Sequence, residues 1–176
     1  DAANRLKGTN RSPDVFDVSS SIAPQQVGKG IFAAYKVRNW NNLTGASAIS
    51  SAEYTPNYTG IMTIGYDSSL GTITKMDDLL KPAFKGTVAI NGDPMGSGAA
   101  LNSIFLANLA LGGTLDDVSP AVAWFKKLKE AGNFINVNPT QATVLSGQTK
   151  VVFDNAYIAA GVNKDPDFKK SGRTWK

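Results

Sequence analysis

Two reactive residue types are missing from this chain of 176 residues, which contains no cysteine and no histidine. The absence of cysteine excludes disulfides and thiol nucleophiles. The absence of histidine removes the commonest general base and the commonest metal ligand. The familiar catalytic triads, Cys-His dyads and zinc sites are therefore excluded. We predict no catalytic residue, no metal site and no cofactor, and hence that the chain is not an enzyme.

Charged residues are also few, at 18% of the chain against 42% hydrophobic residues. This balance is typical of a globular protein and not of a disordered one. The net charge is +4. Two groups of lysine and arginine stand out, one on a predicted helix at 126–129 and one at 169–176, and neither has aromatic residues at a spacing suited to stacking bases. We therefore predict no nucleic-acid partner. The acidic pairs at 77–78 and 116–117 lie at predicted helix starts, where they complement the helix dipole.

Strands and helices alternate along the sequence. Hydrophobic patterning predicts strands at 14–19, 58–66, 87–90 and 150–153. Caps, prolines and glycines predict helices at 24–35, 76–80, 98–111, from 116 or 119 to 132, from 138–139 to 147, and at 157–160. The tail from Asn163 is polar and is predicted to fray. This order predicts the α/β class, with a mixed sheet and helices on both faces.

The segment 98–111 has no charged residue and carries apolar residues around most of its surface. Polar residues and glycines interrupt it, so a buried helix is predicted and not a membrane span. In the next helix, Trp124 and Leu128 belong to a buried stripe at helical spacing.

Three junctions between a strand and a helix form candidate binding sites, because open α/β sheets collect ligands beyond the carboxyl ends of their strands. They are Ser19 to Ser21, Gly96 to Gly98, and Asp154 to Tyr157. Serine and asparagine at such positions can also be plain helix caps. The glycine-flanked Ser97 favours an anionic group near free N–H groups, although Asp67, Asp93 and Asp154 could face a cation.

Several of these segments together resemble a known family. They are Pro13-Asp14-Val15-Phe16-Asp17, Gly60 to Asp67, the run Asp77 to Ile90 with the following Asp93-Pro94 and Ser-Gly helix start, Trp124 to Leu128, and Gly147 to Tyr157. In this order they resemble the extracellular solute-binding proteins of bacterial ABC importers, in the branch with the type II periplasmic-binding fold.

The resemblance implies two α/β lobes joined by crossing strands, with a ligand clamped between them, and an internal fragment of such a protein. It divides the chain into a lobe-one remnant at 1–57, a crossing strand at 58–71, lobe two at 72–162 and a polar tail at 163–176. The implied ligand-binding residues come from four places in the chain. They are Ser20, Ser21, Tyr66, Asp67, Ser68, Ser97, Gly98, Asn155 and Tyr157.

The implied function is delivery of a small charged solute, with an anionic group favoured, to the permease subunits of an ABC importer. The implied location is periplasmic, or extracellular and lipid-anchored in a Gram-positive bacterium. Iron is disfavoured, because ferric-binding members commonly carry adjacent tyrosines where this chain has Asn155, Ala156 and Tyr157. Self-association through the lobe-one remnant is also predicted, since a strand without sheet partners leaves an unpaired edge.

Two other function classes stay open from the sequence. The same fold senses effectors in cytoplasmic transcription regulators, although nothing before Asp14 resembles a DNA-binding helix-turn-helix. A carboxylate-based hydrolase is the third reading, and it would depend on Asp67 or Asp93.

Overall fold

A computed structural model describes residues 5–46 and 49–176. The chain divides into two compact units, residues 1–59 and residues 60–176. The finer boundaries expected at 57, 71 and 162 stay predictions.

The first unit contains little regular structure. Helix α1 spans Ala23–Gln26, and a 3-10 turn spans Trp40–Asn42. A small apolar cluster forms around Trp40, with Ala46 and Ala52. The backbone N–H of Tyr35 donates to the Ala52 carbonyl at 2.8 Å.

Two expectations for this unit are wrong. Residues 14–19 form no strand, and Val15 is 89% exposed. A single strand without neighbours leaves its backbone groups unpaired, so β-propensity alone does not create one. The helix expected to reach Tyr35 stops at Gln26, because Gly28 and Gly30 adopt positive φ angles of 75° and 65° that turn the chain out of the helix.

The second unit is built on a three-stranded sheet. Strand β1 is Met62–Tyr66, β2 is Val88–Ile90 and β3 is Val151–Asn155. The spatial order is β1-β3-β2, with β3 antiparallel to β1 and parallel to β2. Every residue of β2 is buried, as expected for a strand covered on both faces.

Five helices and three 3-10 turns complete the described part of this unit. The helices are α2 at Gly98–Ala110, α3 at Ser119–Glu130, α4 at Gln141–Leu145, α5 at Tyr157–Lys164 and α6 at Pro166–Lys170. The turns are Ser68–Leu70, Met76–Leu80 and Pro82–Phe84.

The two faces of the sheet carry different apolar clusters. Val151 and Phe153 face α2, α3 and the turn with Leu79, whereas Val152 faces α4 to α6 and Trp175. Alternate residues of a strand point to opposite faces, so the apolar run of β3 supplies both clusters. The predicted class, an α/β mixed sheet with helices on both faces, is confirmed.

Helix α2 approaches the sheet through small residues, not through its leucines. Ala100, Ser103 and Ala107 are fully buried, whereas Leu109 is 53% exposed. The sequence predicts that other elements enclose this helix; Ile104 and Leu106 do pack against the core, but the exposure of Leu109 shows that the enclosure is incomplete. Small side chains at spacings of three and four let the helix backbone approach the sheet closely. In α3 the predicted stripe is confirmed, since Trp124 and Leu128 are buried.

The C-terminal segment is ordered, and the predicted fraying from Asn163 is wrong. Asn163 donates from Nδ2 to the Trp175 carbonyl and accepts from the Trp175 N–H, both at 2.8 Å. Lys176 exchanges two backbone hydrogen bonds with Tyr66, at 2.9 and 3.0 Å. The segment therefore lies alongside the end of β1, with Trp175 buried against Gly65.

The start of α4 also differs from its prediction. Thr140, and not the expected pair Asn138-Pro139, caps this helix, and it exchanges hydrogen bonds with Thr143. Among residues 5–46 and 49–176, no helix combines the length and hydropathy that crossing a bilayer requires.

Candidate functional site

The carboxyl ends of β2 and β3 meet at one edge of the sheet. The parallel register places Ile90 opposite Phe153, so the next residues, Asn91 and Asp154, become neighbours. Asn91 donates from Nδ2 to Asp154 Oδ2 at 2.8 Å. This contact joins two strand ends that are 63 residues apart in sequence.

The loop after β2 turns tightly and closes on Ser97. Gly92 has a φ of 98°, and a Cβ there would lie 2.8 Å from Ser97 Cβ. The Asp93 carbonyl accepts the N–H groups of Gly96 and Ser97, at 2.9 and 2.7 Å. A residue with a side chain at position 92 would strain the backbone and push Ser97 away.

Ser97 caps α2, as the sequence predicts. Its Oγ accepts from the Ala100 N–H at 3.3 Å and donates to the Asn91 carbonyl at 2.6 Å. The hydroxyl hydrogen is therefore used within the loop. The N–H groups of Gly98 and Ala99 belong to the first helical turn, where no partner exists within the helix.

Asp154 is the buried centre of this edge, at 5% exposure. Its Oδ1 accepts from the Asn155 backbone N–H at 2.7 Å and from Asn155 Nδ2 at 3.3 Å. Asn155 Nδ2 also lies 3.3 Å from the hydroxyl of Tyr157, which is 53% exposed. Asp154 and Asn155 were expected to cap α5. They belong instead to β3, and the cap position is Ala156 without a side-chain bond.

The start of β1 completes the same edge. Met62 pairs with Asn155, and the Ala156 N–H donates to the Ile61 carbonyl at 2.8 Å. A Cβ on Gly60 would overlap Asn155 Oδ1, so this glycine leaves room for the amide. We call the set Asn91, Ser97, Asp154, Asn155 and Tyr157 the polar edge.

Tyr66, Asp67 and Ser68 lie at the opposite edge of the sheet. Because β1 is antiparallel to β3, Tyr66 pairs with Val151 while Met62 pairs with Asn155. The two edges are thus about 14 Å apart along the strands. The structure does not bring these three predicted site residues together with Ser97, Gly98, Asn155 and Tyr157.

Asp67 is fully buried and paired with a cation. Its Oδ2 accepts from Arg173 Nη1 at 2.8 Å, and its Oδ1 accepts from the Ser69 N–H at 2.9 Å. Arg173 also donates to the Leu145 carbonyl at 2.9 Å and lies over the Phe168 ring at 4.7 Å. We call the set Asp67, Arg173 and Trp175 the ion-pair edge.

Ser20 and Ser21 belong to the first unit. The Oγ atoms of Ser19 and Ser21 lie 2.9 Å apart, and the Ser21 N–H donates to Ser19 Oγ at 3.3 Å. These bonds describe a local serine turn within that unit. A ligand role for Ser20 and Ser21 stays a prediction.

The residues predicted to bind a ligand do not include Asn91, and they include Asp154 only as the start of the third junction and as one of three acids that could face a cation. The positions of these residues in the sequence could have identified them. Asn91 directly follows one buried strand, and Asp154 lies in the strand that is parallel to it. Neighbouring carboxyl ends of parallel strands share an edge. The other two acids are engaged, Asp67 by Arg173 and Asp93 by the Met95 N–H at 2.9 Å.

One cavity lies beside Asp154, between β1, β3, α5 and Trp175. Its volume of about 10 Å³ is room for one water molecule. This cavity is too small to hold a solute. Across residues 5–46 and 49–176, the acidic side chains form no group of three or more that could hold a metal ion.

A family model described as bacterial extracellular solute-binding protein matches residues 10–167. The chain belongs to this family. A comparison with curated proteins finds no match.

Several solved structures have a similar fold. An ABC transporter from Clostridium perfringens aligns with a TM-score of 0.60 and 21% identity, over 95% of this chain and 56% of that one. Iron-bound HitA from Pseudomonas aeruginosa aligns with a TM-score of 0.56 and 18% identity, over 99% and 56%. The spermidine/putrescine substrate-binding protein PotD from Streptococcus pneumoniae aligns with a TM-score of 0.51 and 12% identity, over 82% of this chain and 46% of that one. The chain thus spans about half the length of these solved relatives.

Proposed function

We propose that this chain is part of a solute-binding protein that captures a small charged solute and presents it to the permease subunits of an ABC importer. The observation that carries the proposal is the polar edge. Five polar residues from two strand ends, a helix start and the loop between them converge there, where α/β sheets bind ligands. Membership of the extracellular solute-binding family supports the same function.

The proposed role is binding without chemistry. No histidine or cysteine is available as a base or nucleophile. Asp67 and Asp93, on which a hydrolase would depend, are held by Arg173 and by the Met95 N–H. Turnover that disappears in Asp67→Asn or Asp93→Asn would contradict this part of the proposal.

The proposed location is the periplasm, or the outer surface of a Gram-positive cell with a lipid anchor. Family membership supports an extracytoplasmic location. Fractionation of cells that express the full gene tests it, because a transcription regulator of the same fold would stay in the cytoplasm. Recovery of the protein only with the cytoplasm and DNA would favour the regulator.

Solute binding is tested by calorimetry with the purified chain and its Tyr157→Phe and Asn155→Ala variants. The proposal expects binding that Asn155→Ala weakens by roughly tenfold, because a hydrogen bond to a charged group contributes about 1.5 to 3 kcal/mol. The exposed surface variant Lys126→Ala is the control, since its Nζ lies 4.0 Å from Glu130 on α3. Equal loss in the control and in Asn155→Ala would contradict a site at the polar edge.

We also propose self-association through residues 1–57. Within this unit, Val15 and Tyr35 are 89% and 70% exposed, which leaves apolar surface for a second copy. Light scattering after size-exclusion chromatography tests the idea. A monomer at all concentrations, or a dimer that Val15→Ser does not weaken, would contradict it.

A further inference from the structure

The buried carboxylate of Asp154 has only neutral partners. Its hydrogen bonds come from the Asn91 amide, the Asn155 amide and the Asn155 backbone N–H. In the part of the chain that the structure describes, four ion pairs are present and none includes Asp154. The polar edge therefore holds a buried negative charge without a counter-ion.

The other buried acids of the described residues differ in this respect. Asp67 is paired with Arg173 at 2.8 Å and Asp78 with Lys81 at 2.6 Å. Burying an unpaired charge is costly, so proteins normally pair it or use it. Asp154 is the exception, and it lies where a solute would bind.

The asparagine amides direct their N–H groups towards this carboxylate. Asn91 Nδ2 donates to Asp154, and Asn155 Nδ2 contacts Asp154 and the Tyr157 hydroxyl. No hydrogen bond among the described residues uses the Asn91 Oδ1 atom, so this atom can accept one from a solute. Asp154 thus holds the amide through one Nδ2 hydrogen and leaves this acceptor available.

The polar edge offers fewer hydrogen-bond donors to an anion than the sequence suggests. The Ser97 hydroxyl hydrogen is used on the Asn91 carbonyl. The start of α2 offers about half a positive charge through its free N–H groups, which is less than the full negative charge of Asp154. The exposed ring of Tyr157 is the kind of surface that attracts a cation.

From this arrangement we infer that the polar edge binds a protonated amine of the solute, with Asp154 as the positioning residue that supplies the charge and orients Asn91. The inference depends on the proposed solute-binding function. It also reverses the anionic preference drawn from the sequence, which relied on the helix start at Ser97-Gly98.

Three four-carbon probes that differ in charge test the inference: 1,4-diaminobutane, 1,4-butanediol and succinate. Calorimetry measures their binding to the full 176-residue chain and to Asp154→Asn, which keeps the side-chain size and removes the charge. Asp78→Asn is the matched control, because it removes another buried carboxylate that is held by Lys81. Circular dichroism verifies that each variant is folded.

The expected result is that the diamine binds at least about tenfold more tightly than the diol or succinate. Asp154→Asn should weaken the diamine by roughly tenfold, and Asp78→Asn by less than about twofold. Rising salt should weaken the diamine and leave the diol unaffected, which a purely structural role of Asp154 would not produce.

Tighter binding of succinate or the diol would overturn the inference while leaving the solute-binding function in place. Equal diamine binding to wild type and Asp154→Asn would overturn the role of Asp154. If none of the probes binds to the wild-type chain, the proposed function at this edge fails as well. Should Asp154→Asn fail to fold, the ranking of the three probes and the salt dependence, both measured on the wild-type chain, still test the charge preference of this edge.

Discussion

Two edges of one sheet each contain a buried aspartate, and the groups around them differ. At the ion-pair edge, Asp67 is held by Arg173, and Trp175 packs against Gly65. At the polar edge, Asp154 is held only by neutral amide groups, and Tyr157 is half exposed. At the ion-pair edge, Arg173 neutralises the buried charge of Asp67. The polar edge leaves charge and hydrogen-bonding capacity for another molecule, so the comparison separates a stabilising site from a binding site.

The largest expected effect comes from removing the cation at the ion-pair edge. Arg173→Ala would leave Asp67 fully buried without its partner, and breaking such a pair costs about 3 kcal/mol of the free energy of unfolding. Urea unfolding measures this loss. Lys170→Ala is the control, because its 3.5 Å ion pair with Asp167 is exposed. A loss below about 1 kcal/mol in Arg173→Ala would show that the ion-pair edge is not a stabilising site.

A second prediction concerns the packing of Trp175. A Cβ on Gly65 would lie 2.9 Å from Trp175 Cε2, so Gly65→Ala has to displace the indole. We expect a loss of about 2 kcal/mol by urea unfolding. Gly96→Ala is the matched control, since a Cβ there meets nothing within 4 Å. Equal stability of the two variants would mean that the C-terminal segment does not pack tightly on β1.

A smaller loss of stability is expected at the polar edge. Ser97→Ala removes the cap of α2 and the bond to the Asn91 carbonyl, which together contribute about 1 kcal/mol. Asn102→Ala is the control, because Asn102 is an exposed residue within α2 and does not cap the helix. A larger loss in Asn102→Ala than in Ser97→Ala would contradict the assigned cap.

The smallest expected effect is the change of the unfolding free energy with pH, which should be absent above about pH 4. The Lys81 ammonium, followed by the Thr74 backbone and hydroxyl donors, holds the pKa of Asp78 well below its usual 3.8. A lowered pKa in the folded state adds stability that is present above the unfolded pKa and is lost as the pH falls below it. Unfolding free energies should thus lose this contribution only below about pH 4. An unchanged pH slope in Asp78→Asn would contradict this assignment.

The sequence predicted those features that depend on local signals. The start of α2 at Ser97-Gly98 and the buried stripe of α3 follow from a cap and from helical spacing. The antiparallel pairing of β1 with β3 is a tertiary property, and it separates Tyr66 and Asp67 from Asn155, with which the resemblance groups them. The role of Arg173 in the tail was also missed, because its partner Asp67 lies 106 residues away in sequence.

The strand expected at 14–19 failed for a related reason. Its β-branched and aromatic residues fit a strand, but the described part of residues 1–59 supplies no other strand to pair with it. Conversely, the short apolar runs at 88–90 and 151–155 did form strands, because they pair with each other. In this chain, a segment forms a strand where another strand is available to pair with it, and β-propensity alone is not sufficient.

The central claim is that the polar edge, and not the ion-pair edge, binds solute. The most direct measurement is a titration of the isotope-labelled chain with 1,4-diaminobutane, followed by amide and side-chain NMR shifts. The account predicts that the shifts concentrate at Asn91, Gly98, Asn155 and Tyr157, while the Ser69 amide and the Arg173 side chain, which hold Asp67, stay unchanged. Shifts that concentrate at Ser69 and Arg173, with none at Asn91 and Asn155, would contradict it.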